Sequence, residues 1–208
     1  MRTKYLGVLL ILMTALYGCT DTGSRVAELK PSVLIEIPQT RQATAYTCGV
    51  AVLQSILAFN GILYRQDVLE RTVGATPEDG TNSQAMIQCL NENGIGAVIV
   101  RNMTLEQLRG YIRAGRPVVC FLQAWNENPA FDYSEGWEDG HYAVAIGYDP
   151  YRIYFMDPST LAKYAYIDND QFLKRWHDGN ELHQVYQTGI VVTNPNPVYQ
   201  RNAFSPML

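Results

Sequence analysis

Gln42-Ala43-Thr44-Ala45-Tyr46-Thr47-Cys48-Gly49 runs without a break into Val50-Ala51-Val52-Leu53-Gln54-Ser55-Ile56-Leu57-Ala58-Phe59-Asn60-Gly61, and the stretch reads as a loop feeding a buried helix. Residues 50 to 59 are apolar nearly all the way round, interrupted only by Gln54 and Ser55, which places the helix inside a domain rather than on its surface. Asn60-Gly61 supplies the stop. Cys48 then falls at or near the helix N-terminus, where unpaired backbone N–H groups and the positive end of the dipole favour an anion over a neutral thiol. That is the setting in which a thiol becomes a nucleophile. A small buried core cysteine is the plainer alternative.

Moving outward, Gly140-His141-Tyr142-Ala143-Val144-Ala145-Ile146-Gly147-Tyr148 reads as a strand. Alternation puts His141, Ala143, Ala145 and Gly147 on one face and Tyr142, Val144, Ile146 and Tyr148 on the other. A face of Ala, Ala and Gly lets the cysteine helix come close, with His141 at its end placed to meet Cys48. The next strand, Arg152 to Asp157, follows a short turn, so Asp157 lies opposite about residue 143 or 144, one diagonal step from His141. A carboxylate there fixes the imidazole tautomer and stabilises the imidazolium beside a thiolate. Taken singly, His141 is also compatible with a polar strand start and Asp157-Pro158 with a strand-ending turn.

The rest of the chain supplies more helices first and more strands later. Helices are expected over Arg65–Val73, Ser83–Asn93 and from a capping box at Thr104 through Ile112. Strands are expected at Ala97–Val100, Pro117–Gln123 and Lys163–Ile167. A helix capped by Asp168 or Asn169 carries Phe172 and Trp176, and Ile190-Val191-Val192 closes the sheet. This order is that of an α+β fold with an antiparallel sheet.

Gln42-x5-Cys48-Gly49 opening an apolar helix, Gly140-His141-Tyr142 opening a strand, and Tyr154-Phe155-Met156-Asp157-Pro158 together resemble the bacteriocin-processing, double-glycine leader peptidase family, in particular its stand-alone branch. Phe172-Leu173-Lys174-Arg175-Trp176 is similar to that branch's final helix. The resemblance implies a papain-like cysteine peptidase fold over about residues 33 to 193. It implies Cys48 as nucleophile, His141 as general base and acid, Asp157 as the orienting residue, and Gln42 donating its side-chain amide to the oxyanion beside the Cys48 backbone N–H. Thr47 stands where transporter-linked members carry Asp, which separates the reaction class from the processing of exported leaders.

The N-terminus carries Arg2 and Lys4, an apolar run from Tyr5 to Tyr17, and Leu16-Tyr17-Gly18-Cys19. The run is shorter than the roughly 20 residues of a spanning helix and reads as a secretory signal. Its ending resembles the bacterial lipobox, which implies residues 1–18 as a lipoprotein signal, Cys19 as the lipidated residue, and, with Thr20 following, an outer-membrane anchor facing the periplasm. The expected organisation is then a tether over 19–32, a peptidase domain over 33–194, and a loosely held Pro-rich tail over 195–208.

Removing residues 1–18 takes away two basic residues and no acidic one, so 16 Lys and Arg against 20 Asp and Glu become 14 against 20. That balance argues against nucleic acid as a partner and mildly favours basic or neutral substrates. Of the four cysteines, Cys48, Cys89 and Cys120 remain once Cys19 is lipidated, an odd number that excludes a full disulfide framework. No spacing suggests a metal site, and no cofactor is expected. His177 and His183 sit in a polar stretch that reads as solvated.

The loop from Ala124 to Gly140 carries Trp125, Phe131, Tyr133 and Trp137 among five acidic residues, with no Lys or Arg. Trp125, Trp137 and Asp139 are candidates for one wall of a substrate cleft; the competing reading is a solvated acidic loop with its aromatics tucked into the core. The expected activity is hydrolysis of a peptide bond in a peptide or protein substrate. Amidase or acyl-transfer chemistry with the same triad, and a catalytically silent binding or scaffold lipoprotein, are the rivals.

Overall fold

A computed structural model describes residues 30–128, 130–179 and 184–201. The expected signal, Cys19 and most of the expected tether lie outside the described residues, as does His183. After a short strand β1 (Val33–Leu34) comes helix α1 (Cys48–Phe59), in which every residue except Gln54 and Ala58 is buried. A helix this apolar needs its few polar groups satisfied, and they are. The Ser55 hydroxyl donates to Pro38 O at 2.6 Å, and the Ala51 carbonyl accepts from Thr40 Oγ1 at 2.6 Å. Gly61 ends the helix at φ 83°, where residues with a Cβ are strained.

Two short helices pack around α1: α2 (Gln66–Val73), stopped by Gly74 in the left-handed region, and α3 (Ser83–Glu92), whose Asn82 side chain caps the N–H groups of Gln84 and Ala85. Strand β2 (Ala97–Val100) precedes α4 (Leu105–Arg113), where Thr104 and Gln107 make both halves of the capping box. Then follow β3 (Val118–Gln123), β4 (Gly140–Tyr148), β5 (Arg152–Met156), β6 (Ala165–Asp168), α5 (Asn169–Arg175), a hairpin of β7 (His177–Gly179) and β8 (Gln184–Tyr186), and β9 (Gly189–Val192). The main sheet is antiparallel in the order β2-β9-β3-β4-β5-β6, with β1 added to β4. The architecture is the expected α+β one, with the cysteine helix packed along β4.

Three features differ from the sequence reading. The last strand does not close an edge; β9 inserts between β2 and β3, and all four of its residues are buried, as an interior strand requires. His177 is not solvated: it opens β7, donates from Nε2 to Tyr133 O at 2.8 Å and lies against Trp137, ring centres 4.4 Å apart. The described part of the Pro-rich segment is held at the end of α1, with Asn196 N–H on Asn60 Oδ1 at 2.7 Å and Val198 N–H on Phe59 O at 3.0 Å.

The central strand carries a bulge between Ala145 and Gly147. Gly147 is required there, because a Cβ would sit 2.7 Å from Val33 O and block the approach of β1. On the α5 side, Phe172 stacks on Trp176 at 4.6 Å and meets Phe155 at 5.6 Å, while Trp176 Nε1 donates to Thr188 O at 3.0 Å. This aromatic column anchors the strands that carry the candidate site.

Candidate active site

Cys48 is the first residue of α1, and the Thr47 side chain does not cap that end of the helix. Thr47 instead donates its hydroxyl within the preceding loop, to Thr44 O at 3.3 Å. The first-turn N–H groups, Cys48's own among them, have no intrahelical acceptor.

His141 is the second residue of β4, and Asp157 follows the last residue of β5. Met156 pairs with Val144, so Asp157 falls opposite Ala143, one diagonal from His141. The imidazole Nε2 lies 2.8 Å from Asp157 Oδ1, and both side chains are buried. Asp157 is held by two further donors: Ser159 N–H on Oδ1 at 3.0 Å and the Thr160 hydroxyl on Oδ2 at 2.7 Å. Sequence reasoning missed Ser159 and Thr160; the signal was present in Asp157-Pro158-Ser159-Thr160, since Ser and Thr two and three residues after an Asp fold back on its carboxylate.

The electrostatics follow from this packing. Burial works against a charged His141 ring, but the Asp157 carboxylate and the Cys48 thiol on the same ring outweigh it and push the imidazole up to about 9. Burial likewise works against the Asp157 carboxylate, and the bonds from His141, Ser159 and Thr160 overcome it and hold the group below the usual carboxylate range. Since Nε2 is engaged by Asp157, Nδ1 is the nitrogen left for Cys48.

Gln42 sits beside this turn but faces its own loop. Its Nε2 donates to Thr44 O at 2.8 Å and Ala45 O at 3.2 Å, and its Oε1 accepts from the Ser159 hydroxyl at 3.0 Å. Cys89 and Cys120 are free buried thiols whose ionisation is pushed up by burial, a setting in which a thiol is inert.

A cavity of about 390 Å³ adjoins the histidine and aspartate and is lined by Leu122, Ala143, Phe155 and Tyr133 among others. Trp125, one of three cleft candidates, is on its lining. Trp137 and Asp139 are not; they hold the loop together. Trp137 packs between His177 and Tyr186, and Asp139 receives Asn126 Nδ2 at 2.7 Å and donates its N–H to Gln123 Oε1 at 2.9 Å. Tyr133 is buried while Trp125 is exposed, so the loop is neither wholly solvated nor wholly tucked in.

Comparison with solved structures bears on the fold. The chain is similar to the double glycine motif protease of an AMS/PCAT transporter, crystallised with a leader peptide (17% identity, 80% of this chain and 100% of that one, TM-score 0.57). It is similar to the peptidase domain of Streptococcus ComA, a bi-functional ABC transporter of a quorum-sensing pathway (16%, 77% and 99%, 0.57). It is similar also to a C39-like peptidase from Bacillus anthracis (18%, 79% and 98%, 0.58). A comparison with curated protein sequences gives no match. The shared fold is papain-like, and the signature of the Peptidase_C39 like family covers residues 34–182: the chain belongs to that family.

Proposed function

We propose that the protein is a cysteine peptidase of the cell envelope acting through Cys48, His141 and Asp157. The observation that carries this reading is the buried 2.8 Å pair of His141 Nε2 and Asp157 Oδ1, with Cys48 opening the helix that packs along the histidine's strand. His141 Nδ1 takes the Cys48 proton, and Asp157 holds the imidazolium that results. The thiolate attacks the carbonyl carbon of a peptide bond; its oxyanion is met by the Cys48 N–H at the uncapped helix end and by Gln42 Nε2, which exchanges a loop carbonyl for it. The imidazolium gives its proton to the departing amine as the C–N bond breaks. Water, deprotonated by His141, then attacks the thioester, releasing a carboxylic acid and the free thiol.

A lipid on Cys19 anchors this domain to the outer membrane, facing the periplasm, and the substrate is a peptide or protein there. Turnover of a peptide library followed by mass spectrometry tests the chemistry: free acids and amines are the expected products, and amine-coupled products would reassign the reaction to acyl transfer. Cys48→Ala is expected to fold and to lose turnover; an equally active Cys48→Ala rules the mechanism out. Cys19→Ser is expected to move the protein from the membrane to the soluble fraction.

A further inference from the structure

The cavity beside His141 and Asp157 does not include Cys48 in its lining. Its apolar part comes from one face of the sheet: Ala143 on β4, Phe155 on β5, and Ala165 and Ile167 on β6, with Phe155 and Ala165 directly paired. At about 390 Å³ it has the size of a small-molecule site.

The charges around it do not balance. Asp157 is paired with His141, and Asp168, also on the lining, accepts from Arg152 Nε at 3.0 Å. Arg175, on the lining at the end of α5, has no carboxylate partner among the described residues. Its guanidinium carbon is 3.7 Å from the centre of the Tyr133 ring, and its Nε is buried with no acceptor. A buried donor without a partner costs free energy unless something supplies an acceptor, and a guanidinium fixed on an aromatic face is oriented to receive a carboxylate. The loop that forms the mouth is fixed too. Tyr133 OH accepts from Asn126 N–H at 3.0 Å, and Trp125 is held at φ 70°, in the left-handed region.

We propose that this cavity binds an apolar chain ending in a carboxylate, with the carboxylate on Arg175 and the chain along Ala143, Phe155, Ala165 and Ile167. The C-terminal residue of a peptide and a medium-chain fatty acid share this chemistry. Either occupant lies against the His141–Asp157 pair, so the site sits where binding and the triad can influence one another.

Isothermal titration of the full chain at neutral pH tests it with two matched pairs, octanoate against octanamide and N-acetyl-Leu-Phe as free acid against its C-terminal amide. At least one acid is expected to bind tenfold or more tightly than its amide; which acid does so identifies the fatty acid or the peptide C-terminus as the source. Arg175→Gln is expected to bring that acid down to its amide, and Ala165→Phe, which fills the apolar part, to abolish both. Acids and amides binding alike, no binding by any probe, or a preference that survives Arg175→Gln overturns the proposal. The acid–amide comparison needs no variant, so it stands even where a variant folds poorly. Binding is read without turnover, which keeps the outcome independent of whether Cys48 is a nucleophile.

Discussion

The Ser159 hydroxyl donates to Gln42 Oε1 at 3.0 Å. The same residue's N–H donates to Asp157 Oδ1, and Gln42 N–H closes on Pro158 O at 3.1 Å. One turn therefore connects the Asp157 carboxylate to the loop that leads into α1, and it fixes which end of the Gln42 amide points toward the loop carbonyls. Gln42→Ala is expected to lower kcat by about 10² to 10³, the range for loss of one oxyanion donor. Ser159→Ala keeps the amide and loses only its orientation, so kcat should fall roughly tenfold or less with KM nearly unchanged. Steady-state kinetics of both variants decides this; equal losses would make Ser159 more than an orienting contact.

Much of this site was legible because it depends on local periodicity. The apolar run after Gly49 gave α1, alternation in 140–148 put His141 and Ala143 on one face, and a short turn fixed the register of Asp157, which the Val144–Met156 pairing bears out. Position in the sheet was not legible. Nothing local in Gly189–Val192 says that the strand inserts between β2 and β3, because that choice is made by long-range pairing. His177 was misread for a related reason: its neighbours are polar, and only the fold brings Trp137 and the Tyr133 carbonyl against it. Arg175 gave no signal at all, since a basic residue in the last turn of a helix is ordinary.

The coupling of His141 to Asp157 makes stability depend on pH. The ring is held at about 9 in the folded protein against about 6.5 when unfolded. A raised folded value means that the charged ring's contribution is fully present below about 6.5 and is lost as pH rises through about 9. Asp157 acts in the opposite sense: held low, it contributes above the unfolded carboxylate range near 4 and its share is lost as pH falls below that. Urea midpoints should fall between pH 6.5 and 9 in the native protein and stay flatter over that window in His141→Ala. An identical slope in the variant would place the proton elsewhere.

Reactivity at Cys48 should depend on the same pair. With Asp157 holding the imidazolium, alkylation of Cys48 by iodoacetamide at pH 6 is expected to be at least tenfold faster in the native protein than in His141→Ala. Asp157→Asn should fall between them, because the amide can still accept from Nε2 but carries no charge. Mass spectrometry localises the label, and Cys120, which is fully buried, should stay unmodified in all three. Native and His141→Ala rates that coincide would detach the thiol from the histidine.

Gly49 follows Cys48 because Thr81 occupies the space a side chain would need. A Cβ at 49 would lie 2.5 Å from Thr81 Cβ, 2.8 Å from its Oγ1 and 2.9 Å from its Cγ2. Thr81 is itself buried, so it has little room to withdraw. Gly49→Ala should cost about 1 to 3 kcal/mol by overpacking, and it should displace the first turn of α1 and slow alkylation of Cys48 with it. The compensating change follows from which atom is nearest. Thr81→Ala removes Oγ1 and Cγ2 but leaves the Cβ at 2.5 Å, so Gly49→Ala with Thr81→Ala should remain destabilised. Gly49→Ala with Thr81→Gly removes the Cβ as well and should recover both the unfolding midpoint and the alkylation rate, less the cost of a glycine at position 81, about 1 kcal/mol or below. Denaturation curves and thiol kinetics on the three variants separate these outcomes, and full recovery with Thr81→Ala would show that the clash is with the methyl and hydroxyl and not with the Cβ.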